Sequence, residues 1–214
     1  MGDAAAMWPT ARSSRNHGCV AANGCEATWT VRLIEIPSAS ETPTSRNCSG
    51  RFAPSPATPG GLTTITSAPG TTRLFVVQRN GELFSFPNSP DCETADLFAN
   101  LKLAMPDLTD TYGMTSHPQY PDRPFVYVCY ILENDTEDGS VIARFDVQPT
   151  EPPQLDLESQ QIIFRWKSGG HNGCSIKFGP DGHLYFSTGD GRGPNPPDTL
   201  RAGQDVSNVL SCIL

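Results

Sequence analysis

The sequence predicts an all-β chain, and three observations carry that expectation. Short runs of β-branched and aromatic residues recur between clusters of turn residues. Proline and glycine, at 20 and 19 of 214 residues, interrupt helices throughout and disfavour a helical bundle. Finally, a Pro-led turn feeding an apolar strand appears as Pro69-Gly70-Thr71-Thr72-Arg73-Leu74-Phe75-Val76, as Pro121-Asp122-Arg123-Pro124-Phe125-Val126-Tyr127-Val128, and as Pro180-Asp181-Gly182-His183-Leu184-Tyr185-Phe186-Ser187. The copies recur at intervals of roughly 50–60 residues, the scale of a four-stranded propeller blade. A β-propeller is therefore favoured over a sandwich, with about three blade-like repeats. A propeller closes with about 4–8 blades, so the chain reads as an incomplete propeller.

Taken in order, residues 1–50 are rich in Ala, Ser, Thr, Asn and Arg and are expected to form an irregular, poorly ordered arm. Within it only residues 29–36 (WTVRLIEI) alternate well enough for a strand, expected to pair with a blade edge. Residues 42–61, with Pro43, Pro54, Pro56 and Pro59, read as an irregular entry segment, and the incomplete propeller is assigned to residues 51–214.

Residues 74–78 (LFVVQ) and 82–86 (ELFSF) flank Arg79-Asn80-Gly81, which predicts a hairpin with a type I′ turn. Residues 125–132 (FVYVCYIL) and 141–147 (VIARFDV) are strands joined by the acidic turn 134–139. Residues 162–166, 175–178 and 184–188 complete the strand-only pattern. Alternation is expected to bury Phe75, Val77, Phe125, Tyr127 and Tyr185.

The net charge of −8 argues against a nucleic-acid or anionic membrane partner. No run of ~18 apolar residues predicts a membrane span. The early apolar stretch at residues 4–8 is shorter than a signal-peptide core, so the expectation is either a cytosolic protein or a start that is not the natural one. The seven cysteines (Cys19, Cys25, Cys48, Cys92, Cys129, Cys174, Cys212) show no C-x-x-C pair. Free thiols are expected ahead of an incidental disulfide or a metal site.

The segment Gly169-Gly170-His171-Asn172-Gly173 encloses an imidazole and an amide among three glycines. Glycines let a ligand approach the backbone closely, and histidine accepts a proton near neutrality. A surface loop with a solvated histidine is the alternative. Gly189-Asp190-Gly191-Arg192-Gly193 follows a strand, but Pro194, Pro196 and Pro197 forbid the helix that a phosphate loop must open. Asp190, Asn195 and Asp198 offer oxygen ligands for calcium or simply complete turns. His117 is expected in a loop or the core and His183 in solvent.

The segment SGGHNGCSIKFGPDGHLYFSTGDG (168–191), followed by Pro194-Asn195-Pro196-Pro197-Asp198 and Gly203-Gln204-Asp205-Val206, resembles the soluble quinoprotein glucose/sorbosone dehydrogenase family. Ala68-Pro69-Gly70, Arg73 to Gly81, Tyr112-Gly113-Met114, His117-Pro118 and Tyr127-Val128 extend the resemblance back to about residue 62. The resemblance implies a six-bladed propeller with pyrroloquinoline quinone (PQQ) and calcium over its central channel. It implies His171 as the general base, Gly170 and Asn172 beside the cofactor, a sugar or polyol as substrate, and a periplasmic or secreted setting. No residue of this chain is assigned as a metal ligand. Three positions depart from the family pattern: Cys174 stands where Gly is usual, Gly170 where the glucose dehydrogenases carry Asp, and residues 108–113 lack a quinone-holding glutamine. The quinone's basic clamp and the calcium ligands are expected beyond Leu214, so this chain alone is expected not to turn over. The alternative is a non-catalytic propeller binding a carbohydrate or protein partner.

Overall fold

A computed structural model describes the backbone of residues 29–34 and 45–50, and residues 61–89, 91–92, 94–196 and 198–214 in full. The chain divides into two compact units, Met1–Ala57 with Asn88–Ala95, and Thr58–Pro87 with Asp96–Leu214. In the first unit, β1 (Trp29–Ile34) pairs antiparallel with β2 (Ser45–Gly50), Trp29 opposite Gly50. The strand expected at residues 29–36 is described over residues 29–34 and takes β2 as its partner. β2 itself lies in the segment read as a linker, because SRNCSG carries no alternation to announce it. The rest of the expected arm lies outside the described residues.

The second unit is built of antiparallel meanders. Its first sheet runs β3 (Leu62–Ser67), β4 (Arg73–Gln78), β5 (Glu82–Pro87) and β6 (Asp96–Asn100) in chain order. The second runs β7 (Asp110–Ser116), β8 (Phe125–Ile131), β9 (Ser140–Gln148) and β10 (Gln154–Trp166). A third begins with β11 (Ile176–Phe178) and β12 (Leu184–Phe186). Residues 212–214 run back beside β12: the amides of Phe186 and Thr188 donate to the carbonyls of Leu214 and Cys212 at 3.0 and 2.9 Å. Only two short 3-10 helices, Leu101–Leu103 and Ala202–Gln204, interrupt the strands among the described residues. No helix among them is long and apolar enough to cross a membrane.

The three sheets are blades. β7 packs against both β3 and β11, so the first strands lie side by side while the later strands continue outward. The Pro-led repeat marks the same place in each blade, since its copies run into β4, β8 and β12, the second strands. At Gly113, in β7, an added Cβ would stand 2.9 Å from the Cys174 carbonyl oxygen, so the inner layer closes this tightly only around glycine.

Burial explains the strand sequences. Phe75, Val77, Leu83 and Phe98 of the first blade meet Met114, Val128, Tyr130 and Phe145 of the second in one core. Cys129, Ile142 and Trp166 face the other way, toward Ile176 and Phe186. The middle blade is therefore covered on both faces, and its strands read as unbroken apolar runs, not alternating ones. This corrects part of the expected core. Phe75 and Val77 are buried, but in β8 the fully enclosed residues are Val126 and Val128 to Ile131. Phe125 and Tyr127 lie half-buried on the opposite face. There Tyr127 meets Phe178 edge-on at 5.2 Å, and the Arg144 guanidinium sits 4.3 Å from the centre of the Phe125 ring. Tyr185 is 42% exposed, because β12 turns Phe186 into the core and its neighbour outward.

The first hairpin also differs in its turn. Only Gly81 has a positive φ (+93°), and its amide donates to the Gln78 carbonyl at 3.1 Å. That is a type I turn followed by a left-handed glycine, a three-residue loop in place of type I′. The Asn80 side chain is then free to accept the Glu82 amide at 3.2 Å.

Two tyrosines provide a test of this register. The Tyr130 hydroxyl receives the Gln160 side-chain amide at 2.6 Å, and burial pushes its pKa up to about 12. Tyr130→Phe is expected to cost about 1 kcal/mol, the net worth of a typical hydrogen bond. Tyr185→Phe, on the solvent side, is expected to stay within about 0.5 kcal/mol of the parent. Urea melts of both variants check the order, and reversed costs would mean that the faces are misassigned.

Candidate active site

The loop joining β10 to β11 (167–175) and the loop after β12 (187–211) are bound to each other by their backbones. The His171 amide donates to the Arg192 carbonyl at 2.9 Å, the Gly191 amide to the His171 carbonyl at 3.0 Å, and the Gly189 amide to the Asn172 carbonyl at 3.1 Å. So close a pairing explains the glycines. A Cβ on Gly169 would lie 1.7 Å from the Gly191 carbonyl oxygen, and one on Gly189 would lie 2.0 Å from the His171 carbonyl oxygen. The glycine-rich sequence was expected to admit a ligand, but at these positions it admits another strand of backbone.

The first loop is also fixed from beneath. Asn172 is buried, and its side-chain oxygen accepts the Gly169 amide at 2.6 Å while its nitrogen donates to the Gly169 carbonyl at 2.7 Å. Ser168, fully buried, accepts the Thr136 amide at 3.2 Å and donates to the Glu133 carbonyl, tying the loop to the turn between β8 and β9. Both residues therefore position the backbone that carries His171.

The His171 side chain is 50% exposed, and its Nδ1 lies 3.1 Å from Oδ1 of the largely buried Asp190. The same carboxylate oxygen accepts the Arg192 amide at 3.0 Å, which holds it in place. A carboxylate only accepts, so this contact puts the imidazole proton on Nδ1 and leaves Nε2 as the basic nitrogen.

Beside this pair opens a cleft of about 440 Å³. Gly170, Asn172 and residues 191–193 form one wall, and Arg79, Asp110 and Tyr112 another. The cleft lies where β7 begins, which places it at one end of the inner strands. Arg79 is paired with Asp110, whose hydrogen bond and charge raise the guanidinium pKa. Arg192 donates through Nη1 to Asp135 at 3.2 Å, while its buried Nε has no partner among the described residues. A Cβ on Gly193 would meet nothing within 4 Å, so that part of the wall borders open space.

Of the residues the sequence singles out, Gly170 and Asn172 line the cleft, and His171 stands between them in the chain with its side chain on Asp190. Sequence reasoning missed Arg79, Asp110 and Arg192, for which no local motif speaks. The suggested oxygen ligands part company: Asp190 holds His171, whereas Asp198 accepts the amides of Ala202 and Gly203 at 2.6 and 3.0 Å, closing the 3-10 turn. Among the described residues no three His, Cys, Asp or Glu side chains gather as a metal site. His117 accepts the Gln119 amide at 3.1 Å and stands edge-on to Phe125 and Phe178, where burial lowers its pKa. His183 is exposed beside Asp181.

Blades of antiparallel strands around an inner layer define a partial β-propeller. The chain belongs to the glucose/sorbosone dehydrogenase family, whose description "Glucose / Sorbosone dehydrogenase" matches residues 58–210. Among solved structures it is similar to the PQQ-bound form of aldose sugar dehydrogenase from Streptomyces coelicolor. That match has 23% identity and a TM-score of 0.57 over 73% of this chain and 45% of that one. A Trichoderma reesei structure of Carbohydrate-Active Enzymes Family AA12 matches at 13% identity and a TM-score of 0.44, over 62% of this chain and 31% of that one. The chain thus spans less than half the length of these relatives.

Proposed function

We propose that these residues form the base-bearing part of the active site of a PQQ-dependent dehydrogenase that oxidises a CH–OH group of a sugar or polyol. The observation that carries this reading is the His171–Asp190 pair, a half-exposed imidazole held by a carboxylate on the two loops whose neighbouring residues Gly170, Asn172, Gly191 and Arg192 line a cleft. His171 Nε2 takes the hydroxyl proton of the substrate, and Asp190 stabilises the imidazolium that results. PQQ, when bound, supplies the acceptor for the hydride leaving the same carbon.

The cleft residues suit a flat quinone bearing carboxylates. Arg79 and Arg192 offer guanidinium charge, the unpartnered Arg192 Nε offers a donor, and Gly193 leaves an open, side-chain-free stretch of wall. Asn172 acts by holding the loop. Calcium and a periplasmic or secreted setting accompany this reading through family resemblance alone.

A second reading has its own support. Both arginines already hold carboxylates, Asp110 and Asp135, which suits a neutral carbohydrate bound without redox chemistry. Gly193→Leu separates the two in a full-length propeller carrying these residues. The open space at Gly193 accepts the new side chain without harm to the fold, but it then occupies the cleft. Equilibrium dialysis is expected to show PQQ bound by the parent and at least tenfold weaker binding by the variant, roughly 1.4 kcal/mol or more, with equal melting temperatures. Equal PQQ binding by both would remove the quinone from this cleft. Sugar binding indifferent to PQQ would support the second reading.

A further inference from the structure

Cys129 and Cys174 are brought together by the same close packing that requires Gly113. In the β7–β8 ladder Gly113 stands directly opposite Cys129, so the Cys129 side chain leaves the sheet on the face where Gly113 has none. That face is where Cys174 sits: an added Cβ on Gly113 would be 2.9 Å from the Cys174 carbonyl oxygen. Both cysteines belong to one apolar cluster with Ile142, Trp166, Ile176 and Phe186, and both are thiols in the structure. Burial, and then the neighbouring Cys174 thiol, push the Cys129 thiol pKa well up.

We propose that Cys129 and Cys174 are a disulfide-forming pair, and that the bond ties the loop carrying His171 to β8 of the middle blade. The oxidant is a low-molecular-weight disulfide. One cysteine thiolate attacks a sulfur of that disulfide and releases one thiol. The second cysteine then attacks the mixed disulfide and releases the other. The two cysteine sulfurs give up two electrons and two protons, which leave with the two released thiols. Both side chains are buried in the folded chain, at 0% and 8% exposure, so exchange takes place before the loop closes, during folding. The bond encloses β9, β10 and the first part of the His171 loop, and so restrains the unfolded chain. This inference does not depend on the catalytic reading, because it concerns only how the loop is fastened.

The test refolds the whole chain in parallel in oxidised and reduced glutathione and in excess reductant. Remaining thiols are blocked with N-ethylmaleimide in denaturant, and the digests are compared by mass spectrometry. A peptide pair joined through Cys129 and Cys174 is expected from the oxidised sample only. The oxidised chain is expected to melt roughly 5–10 °C higher than the reduced one. Cys174→Ala and Cys129→Ala are each expected to abolish that difference. Maleimide on both residues after oxidative refolding would overturn the proposal, as would either cysteine joined to a different one. A melting difference that survives in Cys174→Ala would also overturn it. If either variant fails to fold, the peptide map of the unaltered chain decides alone.

Discussion

Replacing His171 with alanine, in a full-length propeller carrying these residues, is expected to lower PQQ-dependent sugar oxidation by about 10²–10⁴-fold, the range for loss of a general base. The size follows from what the side chain does. Its Nδ1 is held by Asp190 at 3.1 Å, so the imidazole is oriented before any substrate arrives, and Nε2 is the group left to take a proton. Quinone binding is expected to change far less, because the proposed site assigns it to the guanidiniums of Arg79 and Arg192 and the open stretch at Gly193. The fold is expected to survive, since the ring is half exposed and the loop is held by backbone bonds and by Asn172. Asp190→Asn is the companion variant. An amide in that place can donate to Nδ1 and so favour the wrong tautomer, lowering kcat while leaving quinone affinity unchanged. Turnover unaltered in His171→Ala would remove the catalytic assignment and leave His171 as a residue of the loop. Loss of quinone binding along with turnover would point to a collapsed loop.

The architecture could be read from the chain because it rests on local chemistry. Each Pro-led turn lies beside a run of strand-forming residues, and the three copies mark the second strands of successive blades. Which face of a strand is inside was harder to read. In β8 the run FVYVCYI is covered on both sides, so no polar position betrays the register: Val126, Val128 and Tyr130 pack against the first blade, while Cys129 is equally buried in the cluster on the other face. In the site, His171 stood out through its glycine neighbours. Its partner Asp190 reads from the sequence as a calcium ligand or a turn residue, since sequence does not show two loops folding onto each other. The pairs Arg79–Asp110 and Arg192–Asp135 join residues 31 and 57 positions apart, and only the blade geometry brings them together.

The glycines where the two loops meet yield the largest expected change in stability. Gly189→Ala is expected to cost roughly 3 kcal/mol or more, at the upper end for overpacking. Its Cβ would lie 2.0 Å from the His171 carbonyl oxygen, and the atom that must give way is backbone, not the end of a flexible side chain. Moving it strains three bonds at once: Gly189 amide to Asn172 carbonyl, Ser211 amide to Gly189 carbonyl, and Gly191 amide to His171 carbonyl, all between 3.0 and 3.1 Å. Two other glycines separate this steric cost from the general cost of losing a glycine. Gly193→Ala meets nothing within 4 Å and is expected to change stability by less than about 0.5 kcal/mol. Gly182→Ala also meets nothing, but its φ of +81° carries the left-handed penalty, roughly 1–2 kcal/mol. Denaturant melts of the three variants are thus expected to fall in the order Gly193, Gly182, Gly189, from least to most destabilised. If Gly189→Ala melts with Gly193→Ala, the loops are not joined backbone to backbone. Gly169, Gly170 and Gly173 would then be left to keep the approach to His171 open for a ligand.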